Sequence, residues 1–257
     1  MPNQNEMFGC GDKKRLRGIA RSFFIIYAIL VRLLYEARKT KEMSDVDAQP
    51  TDQLGRIELV KSTDERLRCA WCTNDPLYLR YHDEEWGVPH YDDILLFEML
   101  VLEMMQAGLS FLTVLKKRER FREVFEGFDP ERIAMFTGDK VEQLMSDEGI
   151  IRNRKKILAT IENAKLYREI QQSMGGFSNY LWSFTGARVI SRRADQEGMV
   201  PSRTELSDRL SQDLKKRGFT FVGSTICYAY LQATGVVMDH TAHCFRACEL
   251  GSISSAQ

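Results

Sequence analysis

Histidine is scarce in this sequence, with four in 257 residues, and the charges balance, with 36 Lys and Arg against 36 Asp and Glu. A chain of zero formal net charge has no global field to drive it to nucleic acid or membrane, so any such binding has to come from a local patch. A membrane-spanning run is also missing. The apolar stretch from Phe23 to Val31 falls short of the about 20 residues a spanning helix needs, and no small-residue cleavage site follows it. Six cysteines over this length do not make a disulfide framework; they read as reduced, cytoplasmic thiols, with metal ligation the alternative. Alternating stretches of useful length and internal repeats are absent too, which leaves an all-α fold around one sizeable core.

What is present falls into three parts. Residues 1–60 carry a basic and apolar segment, KKRLRGIARSFFIIYAILVRLLYEARKTK, and then a polar linker, MSDVDAQPTDQLG at 43–55. The first segment is a dispensable appendage, an amphipathic helix lying on a membrane or on the protein surface, or an uncleaved anchor. Residues 66–248 form the body, and 249–257 a short tail. In the body, DDILLFEMLVLEMMQAG is almost continuously apolar and predicts a buried helix that Gly108 helps to end. FLTVLKKRERFREVFEGF predicts an amphipathic helix over about 111–126, and Asp129-Pro130 opens a short one. Two helical patterns then break at Gly149, and a helix covers 177–184. SDRLSQDLKKRGF predicts a helix with Ser207 as cap and Gly218 as stop, and another runs through STICYAYLQATG.

Three features carry chemistry. His240, His243, Cys244 and Cys248 cluster near the end of the body, and Cys69, Cys72, His82 and His90 near its start. On a helix, His240 and Cys244 would share a face and supply half of a tetrahedral metal site, with the early cluster supplying the rest. Spacing alone does not choose four ligands from these eight, and core cysteines with surface histidines are the bland alternative. Glu103 sits in the apolar helix, where a charge is costly unless paired or facing a cavity. It is a candidate acid, base or cation binder beside Gln106, or else an edge carboxylate paired with an arginine. Finally, DEGIIRNRKKI at 147–157 places a turn at Gly149 before a new helix start rich in Arg152, Arg154, Lys155 and Lys156, which suits a phosphate backbone or is simply a solvated basic helix.

The stretches RCAWCTNDPLYLRYHDEEWGVP, LFEMLVLEMMQAGLS, GIIRNRKKI and LKKRGFTFVGSTICYAYLQATGVVMDH, in this order, resemble the DNA-3-methyladenine glycosylase I family of base-excision repair over roughly residues 66–248. The resemblance implies a helix-hairpin-helix glycosylase fold whose ends are tied by one structural zinc on Cys69, His82, His240 and Cys244. His243, Cys72 and Cys248 are then bystanders. It places Trp71, Tyr81 and Glu103 around the methylated base, with Glu103 the catalytic carboxylate. Leu109, in the loop Ala107–Ser110, becomes the wedge that probes the duplex, and Gly149, Arg152 and Lys155 meet the DNA backbone. The implied substrate is double-stranded DNA carrying alkylated bases, handled by a monomer with no stable membrane partner. One position departs: Phe111 stands where the family usually has tryptophan, leaving a smaller face for stacking. A catalytically weak, zinc-stabilised DNA-binding homologue is the competing expectation.

Overall fold

The computed structural model describes residues 59–61, 64–191 and 200–254, all within one compact unit spanning Pro50–Gln257. The expected helix of 13–41 and the linker 43–55 lie outside the described residues. An antiparallel pair, β1 (Leu59–Lys61) and β2 (Leu67–Cys69), opens this part of the chain. A single helical turn, Ala70–Cys72, leads into α1 (Pro76–Glu84), started by Pro76 and capped by Asp75, whose carboxylate accepts from Leu77 N. The sequence reading assigned no helix there.

The centre of the molecule is α2 (Asp93–Gln106), capped by Asp92 and buried at every position from Leu96 to Met105. A helix apolar all round has to be wrapped by others, and α2 is. Around it lie α3 (Phe111–Leu115), α7 (Arg154–Met174), α8 (Phe177–Ser183) and α10 (Ser224–Ala233). The helix expected over 111–126 is two pieces, α3 and α4 (Arg118–Val124), broken at Lys116–Lys117. No proline or glycine marks this break; the turn brings Arg118 and Arg122 onto Glu98 of α2. Next come α5 (Pro130–Ile133), α6 (Gly138–Ser146) and then α7 across the Gly149 turn. The helix expected from Ser207 starts earlier, as α9 (Glu205–Lys216). Thr204 is its cap, and Ser207 is the third residue of a capping box, its Oγ accepting from Thr204 N. A short parallel pair, β3 (Ile190–Ser191) with β4 (Val237–Met238), precedes the last helix, α11 (Phe245–Ser254). The described residues are therefore mostly helical, with two minimal strand pairs. No helix among them is long and apolar enough to cross a membrane.

Candidate active site and metal centre

Cys69, His82, His240 and Cys244 converge, all buried, with their ligand atoms within 4.8 Å of one another. Cys69 Sγ lies 3.6 Å from His240 Nδ1, and Cys244 Sγ lies 3.4 Å from His82 Nε2 and 3.5 Å from His240 Nδ1. Each imidazole is oriented by its other nitrogen. His82 Nδ1 meets Asp83 at 2.8 Å, and His240 Nε2 meets the Trp86 carbonyl at 3.0 Å. Both partners are acceptors that the outer nitrogen of each ring can meet with its N–H, the orientation seen in metal-ligating histidines. Asp83 is anchored in turn by Arg68 at 2.7 Å. A hydrogen bond from Cys69 lowers the pKa of Cys244, while Cys69 is raised by that same bond and by burial.

Helical spacing is not what assembles this cluster. Residues 239–244 are irregular, and α11 begins only at Phe245. His240 and Cys244 meet because that segment folds over β2 and α1. Cys72 is buried but spends its thiol hydrogen on the Cys69 carbonyl at 3.0 Å, and His243 and Cys248 are exposed. His90 is half-buried, with burial lowering its pKa, and lies outside the cluster.

Two residues from these ligands the aromatic pocket begins. Trp71 follows Cys69, and Tyr81 precedes His82 on α1, where successive side chains diverge by about 100°. One of the pair therefore faces the cysteine–histidine cluster while the other faces Phe111 and Glu103. Trp71 lies 6.3 Å from Tyr81 between ring centroids, and Tyr81 lies 5.0 Å from Phe111. Tyr78, which sequence reasoning missed, packs edge-on to Trp71 at 5.0 Å, and its hydroxyl pKa is raised by burial and by Glu103. Its signal was the i, i+3 spacing from Tyr81.

The polar atoms here are more telling than the rings. Trp71 Nε1, the Tyr81 hydroxyl and Glu103 Oε2 are all buried without a hydrogen-bond partner. Such groups cost of the order of 1–3 kcal/mol each when left unpaired, so three together mark a place meant to be filled. Burial pushes the Glu103 carboxyl up to about 8, and burial followed by Glu103 itself raises Tyr81. An unpaired carboxylate walled by aromatic faces suits a flat cation bearing hydrogen-bond donors.

Two further elements flank this site. Leu109 is 42% exposed at the tip of the Ala107–Ser110 loop that joins α2 to α3. In the hairpin, Gly149 N donates to Asp147 Oδ1 at 2.8 Å, and a Cβ on Gly149 would stand 2.5 Å from Arg120 Cγ, so a larger residue would have to displace the Arg120 side chain. Asn153 caps α7, leaving Arg152 and Lys155 exposed, while Arg154 pairs with Glu142 at 2.6 Å. Lys156 departs from the sequence expectation: it is buried and turned away from any backbone that could lie on the hairpin.

Fold and site together define a helical protein in which aromatic rings surround an unpaired buried carboxyl group, with a basic hairpin elsewhere on the same helical body. Residues 71–247 match the family model described as methyladenine glycosylase. The DNA-3-methyladenine glycosylase 1 of Escherichia coli K12 is 50% identical over 177 residues, covering 69% of this chain and 95% of that protein. A crystal structure of a 3-methyladenine DNA glycosylase I superposes with a TM-score of 0.67 at 49% identity, covering 69% of this chain and 98% of the other. A tyrosine-to-phenylalanine variant of such an enzyme, solved in complex with 3-methyladenine, superposes at 0.66 with 37% identity, covering 69% and 96%. The chain belongs to the methyladenine glycosylase family.

Proposed function

We infer that this chain is a DNA glycosylase of base-excision repair that hydrolyses the bond between 3-methyladenine and its deoxyribose in alkylated DNA. The observation that carries the reading is the trio of buried, partnerless polar atoms on Trp71, Tyr81 and Glu103 within an aromatic wall.

Methylation at N3 places a positive charge on the adenine ring, so the N9–C1′ bond is already weak. When it breaks, its electron pair stays on N9 and the base departs neutral. Water adds to C1′, loses a proton to solvent, and leaves an abasic sugar. Little acid catalysis is required; the protein has to expose the nucleotide and hold it. Flipping costs a few kcal/mol, less for a damaged base. Leu109 would fill the vacated space, while Gly149, Arg152 and Lys155 would seat the backbone. Trp71 and Phe111 would meet the cationic ring face-on. Glu103 would accept hydrogen bonds from the adenine edge and, once ionised, neutralise the ring charge that its own burial makes valuable. Tyr81 would add a polar contact.

One structural zinc would be held by Cys69, His82, His240 and Cys244. A tetrahedral zinc with bonds of about 2.3 Å to sulfur and 2.0–2.1 Å to nitrogen has sulfur–nitrogen edges of about 3.5 Å. The observed 3.4–3.6 Å separations support that fit. With four buried protein ligands and no open position, the ion would stabilise the fold and do no chemistry. Its indirect service would be to fix Trp71 and Tyr81, each within two residues of a ligand.

The test is base release from methylated duplex DNA, with 3-methyladenine and 7-methylguanine separated by chromatography and zinc measured on the same preparation. Release of 3-methyladenine alone, with one zinc per chain, is expected. A folded, zinc-loaded protein that binds this DNA but releases nothing would overturn the reading in favour of a catalytically weak DNA-binding homologue.

A further inference from the structure

Of the basic side chains the hairpin contributes, Lys156 is the buried one, at 4% exposure. Its ammonium donates to the carbonyls of Met105 at 2.8 Å and Ala107 at 2.7 Å. Those carbonyls belong to the last turn and cap of α2, where the helix cannot satisfy its own acceptors and where a cation meets the negative end of the dipole. Lys156 is itself held at the start of α7. Its N–H donates to the Asn153 cap at 3.2 Å, and its carbonyl accepts from Thr160 at 2.9 Å.

Ala107 is also the first residue of the loop that carries Leu109. Gly108 follows with φ +80°, a conformation that costs other residues strain, and Ser110 ends the loop by capping α3 through Thr113 N at 3.3 Å. The loop is thus pinned at Ala107 by Lys156 and at Ser110 by its own cap, with Leu109 exposed between them. A second tie runs the same way: Lys117, after α3, donates to the Glu148 carbonyl of the hairpin at 2.7 Å.

We propose that Lys156 is a positioning residue for duplex opening, locking the Leu109 loop to the backbone-binding hairpin so that seating the hairpin drives Leu109 into the base stack. The proposal rests on the reading of Leu109 as the wedge and of the hairpin as the backbone contact. A rigid tie is what this step needs, because a displacement of about 1 Å at a working group can cost on the order of a hundredfold in rate. A role in stability alone would lower every activity together. A role in opening spares what needs no opening.

The experiment compares Lys156→Met, which keeps the apolar stem and deletes the donors, with the full-length wild type. Single-turnover release of 3-methyladenine is measured from an ordinary duplex and from the same lesion on single-stranded DNA. Binding of free 3-methyladenine is followed by tryptophan fluorescence. A loss of about 10–100-fold is expected on the duplex, with single-strand release and free-base binding close to wild type. Because Lys156 acts through Leu109, Lys156→Met combined with Leu109→Ala should lose little more on the duplex than Leu109→Ala alone. Equal losses on both substrates, or additive losses in the double variant, would overturn the proposal. If Lys156→Met does not fold, Lys156→Arg, whose larger head displaces the same two carbonyls while keeping the charge, should show the same duplex selectivity in weaker form; an unselective loss there overturns it too. Should Leu109→Ala leave duplex release intact, the wedge reading itself fails. A duplex-selective Leu109→Ala beside an unselective Lys156→Met would sink the Lys156 proposal alone.

Discussion

Glu98 and Glu103 lie on the same helix, at 5% and 4% exposure, and are surrounded very differently. Five residues along α2 turn the side chains about 140° apart. Glu98 faces α4, where Arg118 Nε reaches it at 2.6 Å and Arg122 Nε at 2.8 Å, and Arg118 goes on to Glu85 at 2.6 Å. Glu103 faces the aromatic pocket, where no arginine or lysine bridges it among the described residues and Oε2 has no partner at all. One helix therefore holds a carboxylate whose counter-charge is part of the fold and one whose counter-charge has to arrive from outside. Burial is equal; only the second is left without a charge partner among the described residues, and it is the one we propose as a binding site. The difference teaches that a functional carboxylate is marked by what is withheld from it.

The sharpest way to break the contrast is to neutralise each carboxylate in turn. Glu103→Gln should lower 3-methyladenine release by on the order of a hundredfold or more, the usual scale for removing a positioned catalytic carboxylate, with the fold and metal content intact. Full activity in that variant would show that Glu103 is not the group that meets the base. Glu98→Gln should do the opposite. It removes the carboxylate that Arg118 and Arg122 share, and because Arg118 keeps Glu85 the cost should be no more than about 3 kcal/mol of stability, the low end for a broken buried pair, read as a lower urea midpoint. Release per folded molecule should stay unchanged, since Glu98 does not face the pocket. If both variants lost activity in proportion to stability, the two sites would be one.

The pH dependence separates them further. The folded Glu103 carboxyl is pushed up to about 8 from an ordinary 4.5 by burial. Between those values the native protein keeps a proton that the unfolded chain releases, so this group erodes stability as pH rises through that window. Glu103→Gln removes the erosion. Its melting temperature should match the wild type's near pH 4.5 and exceed it near pH 8, by no more than a few kcal/mol in free energy, on the order set by 1.36 kcal/mol per pH unit. An unchanged difference across the range would mean that Glu103 titrates normally and that its unpaired oxygen is solvated.

The sequence made much of this visible, though not always for the right reason. α2 was legible because a helix apolar on every side has only one place to go. The four residues that converge, Cys69, His82, His240 and Cys244, were visible as parts of two sequence clusters, and the resemblance chose among the eight candidates. The spacing argument for His240 and Cys244 failed, since an irregular segment rather than a helix brings them together. α1 carries both Tyr81 and His82 and went unseen because PLYLRYHDE shows no clean apolar stripe, although Asp75-Pro76 announced its start. Which of Glu98 and Glu103 would find arginines was not readable, because the answer depends on how α4 folds back after a break at Lys116–Lys117 that no glycine or proline signals. Lys156 looked like one more cation of a basic run. Only the fold shows its charge turned inward.

Phe111 tests the smallest part of the contrast, the share that belongs to the rings rather than to Glu103. It is 6% exposed, with its ring 5.0 Å from Tyr81 at an interplanar angle of 46°. Phe111→Leu keeps the apolar volume and removes the π face. Cation–π attraction of about 0.5–2 kcal/mol corresponds to a loss of about twofold to thirtyfold. That loss should fall on the cationic lesion alone. Single-turnover release from a duplex carrying 3-methyladenine would measure it, set beside binding to a duplex carrying the neutral isostere 3-deaza-3-methyladenine, in which carbon replaces the methylated ring nitrogen. The variant should release the cationic base more slowly while binding the neutral isostere as the wild type does. Equal losses on both would show that Phe111 contributes shape and no charge recognition. The pocket's preference for a cation would then rest on Glu103 alone, and the difference between the two buried carboxylates would carry the whole of it.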